Sequence, residues 1–162
     1  MPVDIVNLQR TMRVPRAAIR RALAVVMRED LGREVRVSLA VVTDRRIEEL
    51  NRAWLSHEGP TDVITYELAD AADGPGPSGP RSASGSRGPA AADDVFGEIV
   101  ISADRALEEA KRRGLDPARE LVLYAVHGML HLSGYDDLTT ADARRMHRRE
   151  TAVLRTLDGD TD

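Results

Sequence analysis

Two histidines, His127 and His131, stand four residues apart in a chain that has only four histidines. On a helix, positions i and i+4 share a face, so both imidazoles can reach one ion. The apolar run from Leu121 to Val126 argues that this helix is buried on most sides. Gly134 then stops it, since glycine accepts the left-handed conformation that a C-terminal cap wants. The chain can turn back there and present a third donor, and Asp137 stands where that donor should come. His127, His131 and Asp137 are therefore the candidate ligands of one divalent metal ion. Asp136, beside the third of them, is a candidate base or a partner for a ligand imidazole.

The pattern H-x-x-x-H-x-x-G-x-x-D shares its spacing with the zinc-protease pattern H-E-x-x-H-x-x-G-x-x-H, whose Glu is the general base. Here the position after the first histidine is Gly128, which has no side chain. A divalent ion is expected, and peptide hydrolysis by that route is not.

Composition narrows the chemistry further. With no cysteine, thiolate zinc sites and disulfides are excluded, and imidazole and carboxylate remain as ligands. The lack of cysteine also fits a cytoplasmic protein. No N-terminal apolar segment and no apolar run near the ~20 residues of a membrane span appears, so no membrane partner is expected. A net charge of −4 argues against broad non-specific nucleic-acid binding, although a local basic patch can still act in an acidic protein. Lys111 is the only lysine, so the positive charge is arginine, which suits phosphate forks. Neither G-x-G-x-x-G nor a P-loop is present, so a nucleotide cofactor has no visible seat.

The elements that must position the histidines follow from periodicity. Aromatics are only 3% of a chain long enough for one good core, so that core must be aliphatic. Val3 to Leu8 reads as a strand with Val3, Ile5 and Val6 inward. Pro15 to about Leu31 reads as a helix with Ile19, Leu23, Val26 and Met27 on its apolar stripe. Glu34 to Thr43 alternates as a second strand. Thr43 or Asp44 caps a helix to about Leu55, with Ile47, Leu50 and Trp54 inward. Thr61 to Leu68 and Val95 to Ser102 are two more strands, expected as an antiparallel pair. Between them, residues 69–94 are rich in Ala, Gly, Pro and Ser and lack apolar periodicity, which reads as a flexible insertion. Ser102 caps a helix that ends at Gly114, and Asp116-Pro117 opens the metal helix. Thr139-x-x-Asp142 opens a last helix to about Leu157, with Met146, Val153 and Leu154 inward and His147 at the surface. Residues 158–162 form an acidic tail. One domain over residues 1–157, interrupted at 69–94, is expected.

These residues resemble a known family. The string from His127 to Asp136 is similar to the H-G-x-L-H-L-x-G-Y-D-H signature of the YbeY family, bacterial ribosomal-RNA maturation factors and metal-dependent endoribonucleases. Leu50-Asn51 followed by Gly59-Pro60-Thr61-Asp62-Val63-Ile64-Thr65-Tyr66 resembles its L-N-x-x-Y/W-R-x-x-D-x-P-T-D-V-L-S-F block. Gly97 to Ser102 resembles its G-D-I-V-I-C/S block. The resemblance implies an α/β fold, with a small mixed four-stranded sheet, about five helices and the metal site on a buried central helix. It also implies one bound metal, usually zinc, and a role in maturing the 3′ end of small-subunit ribosomal RNA and in ribosome quality control. Ribosomal RNA and the small ribosomal subunit are then the partners.

Two positions depart from the pattern. Asp137 stands where the family has its third histidine. Zinc still accepts a carboxylate, while harder ions such as Mn²⁺ gain ground. Leu55 stands where the family has an arginine thought to contact RNA. Arg52 and His57 are the nearby RNA-contact candidates. The expected reaction is metal-assisted hydrolysis of an RNA phosphodiester. The alternative is a non-catalytic ribosome-assembly factor with a structural metal.

Overall fold

The structure, a computed structural model, describes residues 3–55, 63–67 and 95–160. The expected insertion at 69–94 and the RNA-contact candidate His57 lie outside these residues, as do the side chains of Trp54 and Leu55. The strands are β1 (Val3–Asn7), β2 (Val37–Val42), β3 (Val63–Glu67) and β4 (Gly97–Ser102). They form one mixed sheet in the order β1-β2-β4-β3. β1, β2 and β4 run parallel, and β3 pairs antiparallel with β4 at the edge, as expected for the two strands that flank the insertion.

The helices are α1 (Arg16–Val26), α2 (Asp44–Leu55), α3 (Ala103–Arg113), α4 (Pro117–Leu132) and α5 (Thr140–Asp160). Strand alternation divides the apolar residues between the two faces of the sheet. Val37, Leu39 and Val41 of β2 join Ile99 and Ile101 of β4 beneath α1 and α4, in the main core. Val42, Ile64 and Val100 point to the other face and pack with Ile47 of α2. Val6 is 45% exposed rather than inward, because alternation turns it away from the face that buries Val3.

Expected caps are in place. The hydroxyls of Thr43, Ser102 and Thr139 accept from the amides of Arg46, Arg105 and Asp142. The Asp116 carboxylate accepts from the Ala118 amide, with Pro117 in the first turn. Two helices differ from their expected form. The first changes pitch at its end, where Met27–Leu31 makes a π-helical turn closed by the Gly32 amide on the Met27 carbonyl at 2.8 Å. The last runs past Leu157 to Asp160, and Asp158 accepts from Arg119 of α4 at 2.8 Å. That ion pair joins the acidic end to the fold.

Candidate metal centre

α4 lies in the middle of the fold, with Leu121, Ala125, Val126, Met129 and Leu130 fully buried. Gly128 lets it lie close on the sheet. A Cβ there would meet Ile99 Cγ2 at 2.7 Å, Thr65 Cγ2 at 3.2 Å and Val63 Cγ1 at 3.3 Å. Position 128 therefore faces β3 and β4, where a glutamate has no room. The missing peptidase base and the close helix–sheet approach have one cause.

The helix ends in a Schellman motif. The amide of Tyr135 donates to the Leu130 carbonyl and that of Gly134 to the His131 carbonyl, with Gly134 at φ +107°. The turn that follows is held on three sides. The Tyr135 hydroxyl donates to Asp30 at 2.8 Å, and its ring lies beneath the Arg145 guanidinium. Asp136 is exposed, and its Oδ1 accepts from the amides of Asp137 at 2.7 Å and Leu138 at 3.2 Å. Its visible work is to shape the turn that brings Asp137 back toward α4.

The three expected ligands come together. Nε2 of His131 lies 3.2 Å from Nε2 of His127, and each lies 3.7 Å from Oδ2 of Asp137. The rings meet edge to face, at 82° between planes. Zinc–ligand bonds of about 2.0–2.1 Å with tetrahedral angles put neighbouring donors about 3.4 Å apart. The observed triangle brackets that value, so shifts of a few tenths of an ångström suffice, and the donor set fits a divalent ion. Among the described residues the group contains three donors, the number usual in catalytic rather than structural zinc sites.

Sequence reasoning missed two features. Glu150, on the buried stripe of α5, places Oε2 2.5 Å from Nδ1 of His127. The partner of a ligand imidazole is thus Glu150 rather than Asp136. A carboxylate falling on an apolar stripe with Met146, Val153 and Leu154 is a signal in its own right, because burial demands a partner. The second is the anchor under the turn. Asp30, brought round by the π-helical turn, accepts from Nε of Arg149 at 2.8 and 2.9 Å as well as from Tyr135. Burial, the Asp30 hydrogen bond and the Asp30 charge push the Tyr135 phenol above its ordinary range.

A cleft of about 480 Å³ opens beside the cluster, lined by His127, Asp137, His147 and Glu150 and, on the α3 wall, by Arg105 and Arg113. His147 is exposed, as expected, but at the rim of this cleft. Arg52 is not brought to the cluster. It is exposed on α2, which packs on the opposite face of the sheet, and lies 3.9 Å from Glu48.

Comparison with known proteins gives a consistent picture. The family model described as Endoribonuclease YbeY matches residues 4–158. Endoribonuclease YbeY of Moorella thermoacetica is 40% identical over 126 residues, covering 78% of this chain and 75% of the relative. That of Carboxydothermus hydrogenoformans is 33% identical over 157 residues, covering 95% and 96%. The solution structure of TM1509 from Thermotoga maritima shares the fold with a TM-score of 0.61 at 22% identity, over 98% of this chain and 90% of that one.

Proposed function

Because the chain belongs to the endoribonuclease YbeY family, we propose that it is a metal-dependent endoribonuclease that hydrolyses ribosomal RNA, in maturation of the small-subunit 3′ end and in ribosome quality control. The observation that carries this reading is the triangle of His127, His131 and Asp137 donors, beside a cleft that His127 and Asp137 line. We assign zinc to it on the type and number of its donors, with Mn²⁺ as the alternative that the Asp137 carboxylate admits. A divalent ion supplies Lewis-acid chemistry there, polarising a phosphoryl oxygen and lowering the pKa of water.

The chain's own residues do the rest. His127 and His131 present Nε2 toward Asp137 from one helix face. The Asp137 carboxylate brings one negative charge, so the centre is less electron-poor than three imidazoles would leave it. The cleft is the proposed seat of the RNA backbone, and Arg105 and Arg113 on its wall, paired in the free protein with Glu108 and with Glu109 and Glu120, are the cations that would turn to a phosphate there. Affinity for RNA then falls as salt rises. Gly128 leaves no side chain at the position where the zinc-protease pattern carries its general-base glutamate, which argues against peptide hydrolysis by that route. Ribosomal RNA and the small subunit are the proposed partners, and the cytoplasm is the proposed setting.

The test is metal content of protein purified without added metal, together with ribosomal-RNA cleavage by wild type and His131→Ala. The expected result is near-stoichiometric metal and cleavage in wild type, both lost in the variant. Metal retained by a wild type that cleaves no more RNA than the variant would overturn the reading in favour of a non-catalytic assembly factor.

A further inference from the structure

α5 brings into the site a carboxylate that the ligand pattern does not contain. Glu150 is 8% exposed, between the buried Met146 and Leu154 on one helix stripe. Its Oε2 lies 2.5 Å from Nδ1 of His127, while its Oε1 is 3.7 Å from Nδ1 of the exposed His147. A carboxylate this buried needs a partner, and the His127 ring supplies the close one.

The direction of that hydrogen bond has a chemical consequence. An ionised carboxylate only accepts, so Nδ1 of His127 donates and carries the ring proton. The other nitrogen, Nε2, is then left with its lone pair. It is Nε2 that faces His131 and Asp137 at 3.2 and 3.7 Å. Nδ1 and Nε2 lie on opposite sides of the imidazole, so the anchor and the donor do not compete. Among the described residues no carboxylate does this for Nδ1 of His131. Among the described residues the two imidazoles are therefore unequal, since only that of His127 has a carboxylate behind it, from α5.

We propose that Glu150 is a positioning residue of the metal centre, which holds the His127 ring in the tautomer and orientation that present Nε2 to the ion. Its charge, with that of Asp137, also offsets the two positive charges of a divalent ion. The proposal rests on the metal reading above but makes a claim about the metal-free protein too.

Two substitutions test it in the full chain. Glu150→Leu keeps the buried stripe filled and removes the acceptor. Glu150→Gln keeps an acceptor oxygen and removes the charge, and it carries the test if the leucine variant does not fold. Zinc affinity is read by competition with a chromophoric chelator, below the unfolding range of each variant. Loss of such an outer partner weakens metal binding about 10–100-fold, with the glutamine variant between wild type and leucine. In the metal-free protein, the ¹⁵N signals of the His127 imidazole should report a proton on Nδ1 in wild type and a mixture in Glu150→Leu. Zinc affinity within twofold of wild type and unchanged imidazole signals in the variants would overturn the proposal. A wild type that binds no zinc but shows the Nδ1 proton lost on substitution would sink the metal reading and leave the role of Glu150 in orienting the ring standing.

Discussion

Replacing Gly128 with alanine measures how closely the metal helix must lie on the sheet. Alanine is the better helix former by about 1 kcal/mol, so in an open helix the change would stabilise. Here the new Cβ would sit 2.7 Å from Ile99 Cγ2, where carbon contacts are ordinarily about 3.5–4.0 Å. Ile99 is fully buried, and its Cγ2 is the branched methyl next to the backbone rather than a flexible end, so it cannot swing away. Thr65 and Val63 close the other directions at 3.2 and 3.3 Å. The helix must lift or the strands must part, and overpacking of this kind costs about 1–3 kcal/mol. With three contacts and no yielding neighbour the upper end applies. Subtracting the propensity gain leaves a loss of about 2 kcal/mol, which for a domain of this size lowers Tm by about 4–8 °C. Urea unfolding should show a lower midpoint with an unchanged slope. His127 is the adjacent residue, so zinc affinity should fall in the same variant. A Gly128→Ala protein as stable as wild type, or more so, would refute the reasoning and leave glycine at this position without a structural cause.

Two further expectations concern other parts of the frame. Tyr135→Phe removes a donor to Asp30, which keeps both contacts from Arg149, so no buried carboxylate is orphaned. The loss should be about 1–2 kcal/mol in stability, with weaker zinc binding because Asp137 lies two residues on; unchanged zinc affinity would mean that the turn holds itself. Burial pushes the Glu98 carboxyl above its ordinary value of 4.5. The folded state therefore binds that proton more tightly than the unfolded chain, so the penalty is absent below about pH 4.5 and grows as pH rises through the raised folded value. Glu98→Gln should accordingly be more stable than wild type at pH 7 and no more stable at pH 4. A difference in Tm that is equal at the two pH values would show that Glu98 ionisation is not its source.

Much of the centre was legible along the chain because it is local. His127 and His131 share a helix face by spacing alone, Gly134 stops that helix through its own conformational freedom, and Asp137 is within one turn's reach. The strands and caps were legible for the same reason: alternation, side-chain oxygens at helix starts and glycines at helix ends act over a few residues. The family motifs added the fold, because Gly128 of one of them seats α4 against Val63 and Thr65 of another and Ile99 of the third. Three features waited for the tertiary structure. Glu150 lies 23 residues from His127. Nothing local says that the two meet, only that a carboxylate on an apolar stripe must find a partner. Asp30 reaches Tyr135 across 105 positions, and only after a π-helical turn has changed the pitch that periodicity assumes. Gly128 reads in sequence as a missing base, whereas in space it is the contact that seats the helix. Each depends on which elements touch, and that is decided by burial of the whole chain at once rather than by any stretch of it.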